Sequence, residues 1–216
     1  MVPHHLLLVT RTFQLQTEQL SAADFEALSA TLRAFPPPGG LAFMNIGEAS
    51  GYSQPHKHVQ LVPLPFAAEL PHAPVPIGPL VERAAAQASA PGAIFQVAAL
   101  PFRNACVQLR ADATPEQLAC TYDEVLRAAL ASTGATSYNM LMTNEWLMIL
   151  PRSAERGNGV AVNALGFAGT MLVRLACARL EMNRLCASGS MLTFGLSCPL
   201  RRCAVSTSWS ACVPTR

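Results

Sequence analysis

The chain has 216 residues, of which 51% are hydrophobic and 13% charged, where an ordinary soluble domain carries about 25% charged residues. That length suits one domain or two small ones, and the hydrophobic share excludes an extended disordered protein. A formal net charge of +2, with 15 basic residues against 13 acidic ones, is too weak a field to argue for a nucleic-acid partner or an anionic membrane surface.

The first ten residues offer only Leu6-Leu7-Leu8-Val9 as an apolar run, shorter than a secretory signal needs and without a basic start. A cytoplasmic protein is therefore expected. Residues 6–10 read as a short strand. Ser21 and Asp24 have the spacing of a capping box with Asp in place of Glu. Phe25, Leu28, Leu32 and Phe35 then recur at helical spacing, which predicts a helix over about 22–34, ended by Pro36-Pro37-Pro38-Gly39-Gly40. Residues 41–46 and 56–62 read as strands joined by a turn containing Gly and Ser.

Prolines 63, 65, 71, 74, 76 and 79 then interrupt any regular element. They predict a Pro- and Ala-rich linker with a short helix over 67–92, between a first part at 1–66 and a second at 93–174. In the second part, 93–98 and 105–109 read as strands. Thr114 caps the next helix, with Pro115 at its first position and Gln117 completing the box. Its buried stripe is Leu118, Tyr122, Val125, Leu126 and Ala129. Strands at 138–142 and 146–150 precede a glycine-rich stretch around 163–169. Residues 175–216 lose all periodicity and read as an atypical Cys-rich tail. The uncharged, mostly apolar run 157–173 is broken by Asn158 and Asn163 and falls short of the roughly 20 residues of a membrane span. Seven cysteines, an odd number without a secretion signal, imply reduced thiols, and their spacing does not suit zinc.

The chemistry concentrates in Asn45-Ile46-Gly47-Glu48-Ala49-Ser50-Gly51-Tyr52-Ser53-Gln54-Pro55-His56-Lys57-His58-Val59-Gln60. On a strand, His56, His58 and Gln60 share one face, and burying such a face is expensive unless it meets a polar ligand. Gly47, Gly51 and Ser53 supply a turn whose N–H groups can approach an anion. Together they describe a phosphate cradle beside a nucleophile, because a neutral imidazole can attack phosphorus and split one hard displacement into two. The competing reading is a metal, with His4, His5, His56 and His58 converging on one ion, although no third soft ligand has a recognisable spacing.

The pattern Asn-x-Gly-x-x-x-Gly-x-Ser-x-x-His-x-His-x-Gln at 45–60 resembles the diadenosine tetraphosphate phosphorylase (ATP adenylyltransferase) branch of the histidine-triad superfamily. A second block is similar too: Ser137-Tyr138-Asn139-Met140-Leu141-Met142-Thr143, then Trp146, Pro151-Arg152-Ser153, and Val162-Asn163-Ala164-Leu165-Gly166-Phe167-Ala168-Gly169. The resemblance covers about 3–174. It implies an α+β fold, a histidine-triad-like antiparallel sheet with flanking helices, without the upstream segment that relatives carry before the strand at 6–10. It implies that His58 is the nucleophile and that His56 orients it or the phosphate. Gln60 stands where the hydrolases carry a third histidine. Asn45, Gly51, Tyr52, Ser53, Gln54 and Gln60 match nucleotide- and phosphate-binding positions, as do Leu141, Met142, Thr143, Met148 and Arg152. The residues alone also allow Leu141, Met142 and Met148 to be strand core, and Arg152 to be a solvated surface charge.

The implied reaction is phosphorolysis of diadenosine tetraphosphate to ATP and ADP, and its reverse, through an AMP–histidine intermediate. Its implied partners are adenine nucleotides and phosphate, with no tightly bound cofactor and with a divalent ion such as Mg accompanying the nucleotide. Two alternatives stand beside it. One is a histidine-triad transferase acting on another nucleotide, such as a GDP- or UDP-sugar, which a comparison of adenine and guanine substrates separates. The other is a non-catalytic nucleotide-binding remnant, which would bind without becoming covalently labelled.

Overall fold

The computed structural model describes residues 4–66, 72–131, 133–157 and 159–170. Its strands are β1 (Leu6–Val9), β2 (Gly40–Ile46), β3 (His58–Pro63), β4 (Ala105–Gln108), β5 (Ser137–Met142) and β6 (Trp146–Arg152), with a small ribbon of β7 (Arg156–Gly157) and β8 (Val160–Ala161). The helices are α1 (Ala22–Ala34), α2 (Gly78–Ala85), α3 (Pro115–Leu130) and α4 (Ala164–Phe167). The expectations for the tail at 175–216 lie outside the described residues.

The two long helices start where the sequence supplies reciprocal caps. Ser21 Oγ accepts from the Asp24 N–H at 3.3 Å, and Asp24 Oδ2 accepts from the Ser21 N–H at 2.8 Å. Thr114 Oγ1 and Gln117 Oε1 make the same exchange at 3.3 and 2.9 Å. Each box satisfies two of the orphan donors at a helix start. In α3 the buried residues are Leu118, Tyr122, Val125, Leu126 and Ala129, the expected stripe in full.

The six long strands form one sheet in the order β1-β3-β2-β5-β6-β4. Every neighbouring pair in it is antiparallel, so the α+β expectation holds. The proline-rich stretch separates two lengths of sequence that share this sheet, since β5 pairs along β2 from Ala42 with Met142 to Ile46 with Tyr138.

One face of the sheet is covered by α1 and α3. There Phe25, Leu28 and Leu32 meet Met44, Ile46, Leu61, Met140 and Tyr122 in a continuous apolar core, with the Tyr122 and Tyr138 hydroxyls joined by a short hydrogen bond. The other face carries a second core in which Leu41, Phe43, Val62, Leu141 and Met148 pack with Ile77, Val81 and Leu165. Because β2 and β5 are buried on both faces, their sequences read as nearly continuous apolar runs.

Two strand expectations need correction. Residues 93–98 form no strand: Phe95 makes only an isolated bridge with Cys106. The carboxamide of Asn104 takes the main chain of Val97, accepting from its N–H at 2.8 Å and donating to its carbonyl at 3.3 Å, which pre-empts a ladder. The strand expected from residue 56 starts at His58. His56 makes an isolated bridge with Leu15, and the Lys57 N–H donates to the Gln14 carbonyl at 2.8 Å, so this stretch is committed to the segment after β1.

Candidate active site

The chain leaves β2 through Gly47, whose φ of 81° is left-handed. A Cβ at this position would stand 2.4 Å from Ser137 Oγ, so both the backbone and the close approach demand glycine. A single 3₁₀ turn, Glu48–Ser50, follows. Ser50 Oγ donates to the Gly47 carbonyl at 2.6 Å, and Ser137 Oγ accepts from the Ala49 N–H at 3.2 Å. Gly51, again at φ 81°, passes the chain into the loop that carries Tyr52, Ser53 and Gln54. Ser53 and Gln54 are exposed and Tyr52 is half-buried.

His58 opens β3 and is only 8% exposed. Its Nδ1 lies 2.8 Å from the main-chain oxygen of His56. A carbonyl can only accept, so Nδ1 carries the proton and the neutral ring keeps its lone pair on Nε2. The ring of His56 turns elsewhere, with Nε2 3.0 Å from Thr10 Oγ1 and the Phe13 ring 5.4 Å away between centroids. The expected shared face of His56, His58 and Gln60 is thus corrected to His58 and Gln60 alone. It is the carbonyl of His56, not its ring, that touches His58. Among the described residues, no three His, Cys, Asp or Glu side chains come together as a metal site requires.

Beside His58, Asn45 is 4% exposed and Asn139 fully buried. Asn45 Oδ1 accepts from Asn139 Nδ2 at 2.8 Å and from the Ala164 N–H at 2.9 Å. Asn139 Nδ2 also donates to the Ser50 carbonyl at 3.1 Å. Two carboxamides thereby tie β2, β5, the glycine turn and the start of α4 into one network, and every such group left unpaired in so dry a place would cost about 1–3 kcal/mol.

Arg152 completes the network from beneath. It is 7% exposed, so it is not the solvated charge the sequence allowed. Nη1 donates to Asn139 Oδ1 and to the Ser50 carbonyl, and Nη2 to the carbonyls of Ala154 and Glu155. Its guanidinium stands 4.8 Å from the Phe167 ring centroid. Burial lowers its pKa, against the opposing pull of Glu155. Lys57, the only lysine of the chain, is also engaged, 3.3 Å from Asp24 Oδ2 and 2.9 Å from the Gln19 carbonyl.

One step along the sheet from His58 and Asn45 runs a second row: Gln60 opposite Phe43, Phe43 opposite Leu141, and Leu141 opposite Met148. Leu141 and Met148 belong to the core on this face, where an apolar wall stands next to the polar row. Met142 belongs to the opposite core under α1 and α3. Thr143 lies at the β5–β6 turn, its Oγ1 accepting from the N–H groups of Glu145 and Trp146. Those two sites are not brought to His58. Sequence reasoning missed two residues that are. Asn139 had a signal, a carboxamide amid an apolar strand. Gln16 had none: its carboxamide contacts the main chain of Asn45 and His58 from 42 residues away.

The six-stranded antiparallel sheet with its flanking helices has a histidine-triad-like fold. Residues 1–83 match the Ap4A phosphorylase N-terminal domain and residues 98–191 the ATP adenylyltransferase C-terminal domain, and the chain belongs to the Ap4A phosphorylase family. It is 26% identical over 193 residues to Protein APA1 of Saccharomyces cerevisiae, covering 80% of this chain and 58% of that protein. It is 28% identical over 198 residues to diadenosine 5',5'''-P1,P4-tetraphosphate phosphorylase 2 of the same yeast, covering 80% of this chain and 59% of that protein. The chain thus spans less than two thirds of both curated relatives. The crystal structure of yeast Ap4A phosphorylase Apa2 in complex with AMP superposes with a TM-score of 0.68 at 25% identity, over 90% of this chain and 69% of that one.

Proposed function

We propose that this chain carries out adenylyl transfer on diadenosine tetraphosphate, splitting it with phosphate into ATP and ADP and running the reverse reaction. The observation that carries this reading is the hydrogen bond from His58 Nδ1 to the His56 carbonyl, 2.8 Å, which leaves the Nε2 lone pair available. Nε2 attacks an α-phosphorus; a P–N bond forms, the P–O bond to the rest of the chain breaks, and ATP leaves. A phosphate oxygen then attacks the same phosphorus, the P–N bond breaks, and ADP is released from a regenerated neutral ring.

A polyphosphate leaving group has low proton affinity, so no strong acid is required of Gln60, which has no proton to give. Its amide instead offers donors and an acceptor for orienting phosphate oxygens. In this reading the turn at 47–53 receives the phosphates, while Leu141 and Met148, both fully buried, back the polar row from the core on that face. Arg152 is assigned to holding Asn139 and the turn, because its donors already serve protein oxygens. With Lys57 and Arg152 both committed, the charge of the polyphosphate is offset by a divalent ion such as Mg that arrives with the nucleotide.

The test is to incubate the chain and its His58→Ala variant with diadenosine tetraphosphate labelled at the α-phosphate, and to search for an acid-labile AMP adduct by mass spectrometry. The expected result is an adduct on His58 that phosphate discharges as ADP. A folded protein that binds ATP and never becomes labelled would overturn the reading.

A further inference from the structure

The strand that carries His58 is joined to its neighbour in an unusual way. The β2–β3 ladder runs from Gly40 with Pro63 to Phe43 with Gln60 and stops there, two residues short of the level of Asn45 and His58. The carboxamide of Gln16, 1% exposed, occupies the parting. Its Oε1 accepts from the His58 N–H at 2.8 Å, and its Nε2 donates to the His58 carbonyl at 3.2 Å and to the Asn45 carbonyl at 2.9 Å. One side chain thus engages both main-chain groups of His58 and links them to the neighbouring strand.

A carboxamide presents the same donor and acceptor as a peptide group, so Gln16 does here what a further pair of the ladder would do. Gln16 is itself fixed, because its N–H donates to the Pro55 carbonyl at 2.7 Å and the Lys57 N–H donates to the Gln14 carbonyl at 2.8 Å. The carbonyl that orients the His58 ring belongs to His56, inside this same clamped stretch. Both ends of the Nδ1–H···O bond are therefore held by the segment around Gln16.

We propose that Gln16 is a positioning residue for His58, fixing the main chain where the strands part and, through it, the Nδ1–H tautomer that leaves the lone pair on Nε2. This rests on the adenylyl-transfer reading only for what the lone pair attacks; the tautomer is measurable without any nucleotide.

The experiment is heteronuclear NMR of the imidazole nitrogens in ¹⁵N-histidine-labelled protein, for the unaltered chain, Gln16→Met, Gln16→Asn and, as a destabilised control remote from the site, Val125→Ala. The expected result is a single Nδ1–H tautomer of His58 in the unaltered chain and in Val125→Ala, and a mixture in Gln16→Met. Gln16→Asn, one methylene too short to span the gap, is expected to show the mixture as well and carries the test alone should Gln16→Met not fold. Single-turnover adenylyl transfer should fall about 10–100-fold in both Gln16 variants, the usual cost of removing an orienting partner, while the dissociation constant for ATP changes far less.

An unchanged tautomer in the Gln16 variants, or the same mixture in Val125→Ala, overturns the proposal. So does a loss of transfer that follows weakened ATP binding alone. If the unaltered chain forms no adduct while the Gln16 variants still scramble the tautomer, the adenylyl-transfer reading falls and the positioning role of Gln16 stands.

Discussion

The two faces of the sheet bury their side chains by different means. Under α1 and α3 the contacts are almost wholly apolar, where volume and shape decide the energy and a neighbour can relax into a gap. On the other face the row of His58, Asn45 and Asn139 sits among apolar residues but is held by hydrogen bonds whose partners are specific atoms. There direction decides, and no neighbour can substitute. The first face sets how stable the protein is; the second sets where a lone pair points.

The sharpest way to break this comparison is His58→Ala. On the proposed reading, adenylyl transfer should drop by at least about 10³-fold, because the covalent route would be lost with the His58 ring, while the thermal midpoint stays close to that of the unaltered chain. A large fall in the midpoint would show that His58 also serves the packing. Leu28→Ala is the converse. Leu28 is fully buried, so a cavity there should cost about 2–5 kcal/mol in urea unfolding, with transfer per folded molecule unchanged.

Asn139→Ala stands between the two. It strips Arg152 Nη1 of its carboxamide partner and Asn45 of a donor, so a loss of about 1–3 kcal/mol is expected, accompanied by slower transfer. The decisive measurement is a double-mutant cycle with Asn45→Ala. Coupling above about 0.5 kcal/mol marks one network; additive losses would mean that the two asparagines act independently.

The same contrast explains what could be read from the chain. The helix face was legible because its information is local: capping boxes three residues apart and an apolar stripe at helical spacing located α1 and α3. The glycine turn and His58 were legible because they lie within sixteen consecutive residues. Asn139 bonds to Asn45 across 94 residues and Gln16 to His58 across 42, and no periodicity announces such a pairing. Arg152 allowed the wrong reading for a related reason. An arginine at a strand end is usually solvated, and only the fold reveals carbonyls at Ser50, Ala154 and Glu155 gathered around it. The strand expected at 93–98 failed because Asn104 takes the main chain of Val97, a competition invisible to strand propensity.

The smallest expected effect lies at the edge of the polar face. His5 stacks on Phe43 with 6.1 Å between centroids, and its Nε2 is buried without a hydrogen-bond partner among the described residues. Burial lowers its pKa from the ordinary 6.5, outweighing the opposing contact with Gln60. The folded protein therefore disfavours the protonated ring, and the unfolded chain binds that proton more readily. This contribution to stability is complete above about pH 6.5 and is lost as the pH falls through that value toward the lower folded pKa. His5→Phe keeps a ring on Phe43 and removes the titration, so the variant should gain in thermal midpoint relative to the unaltered chain as the pH is lowered from about 7.5 to about 5.5. Groups common to both proteins cancel in that difference. Parallel curves would mean that the His5 ring escapes its burial when protonated. On the helix face, burial pushes the Tyr122 and Tyr138 hydroxyls above the usual tyrosine range, so these two groups add nothing to the difference between the curves.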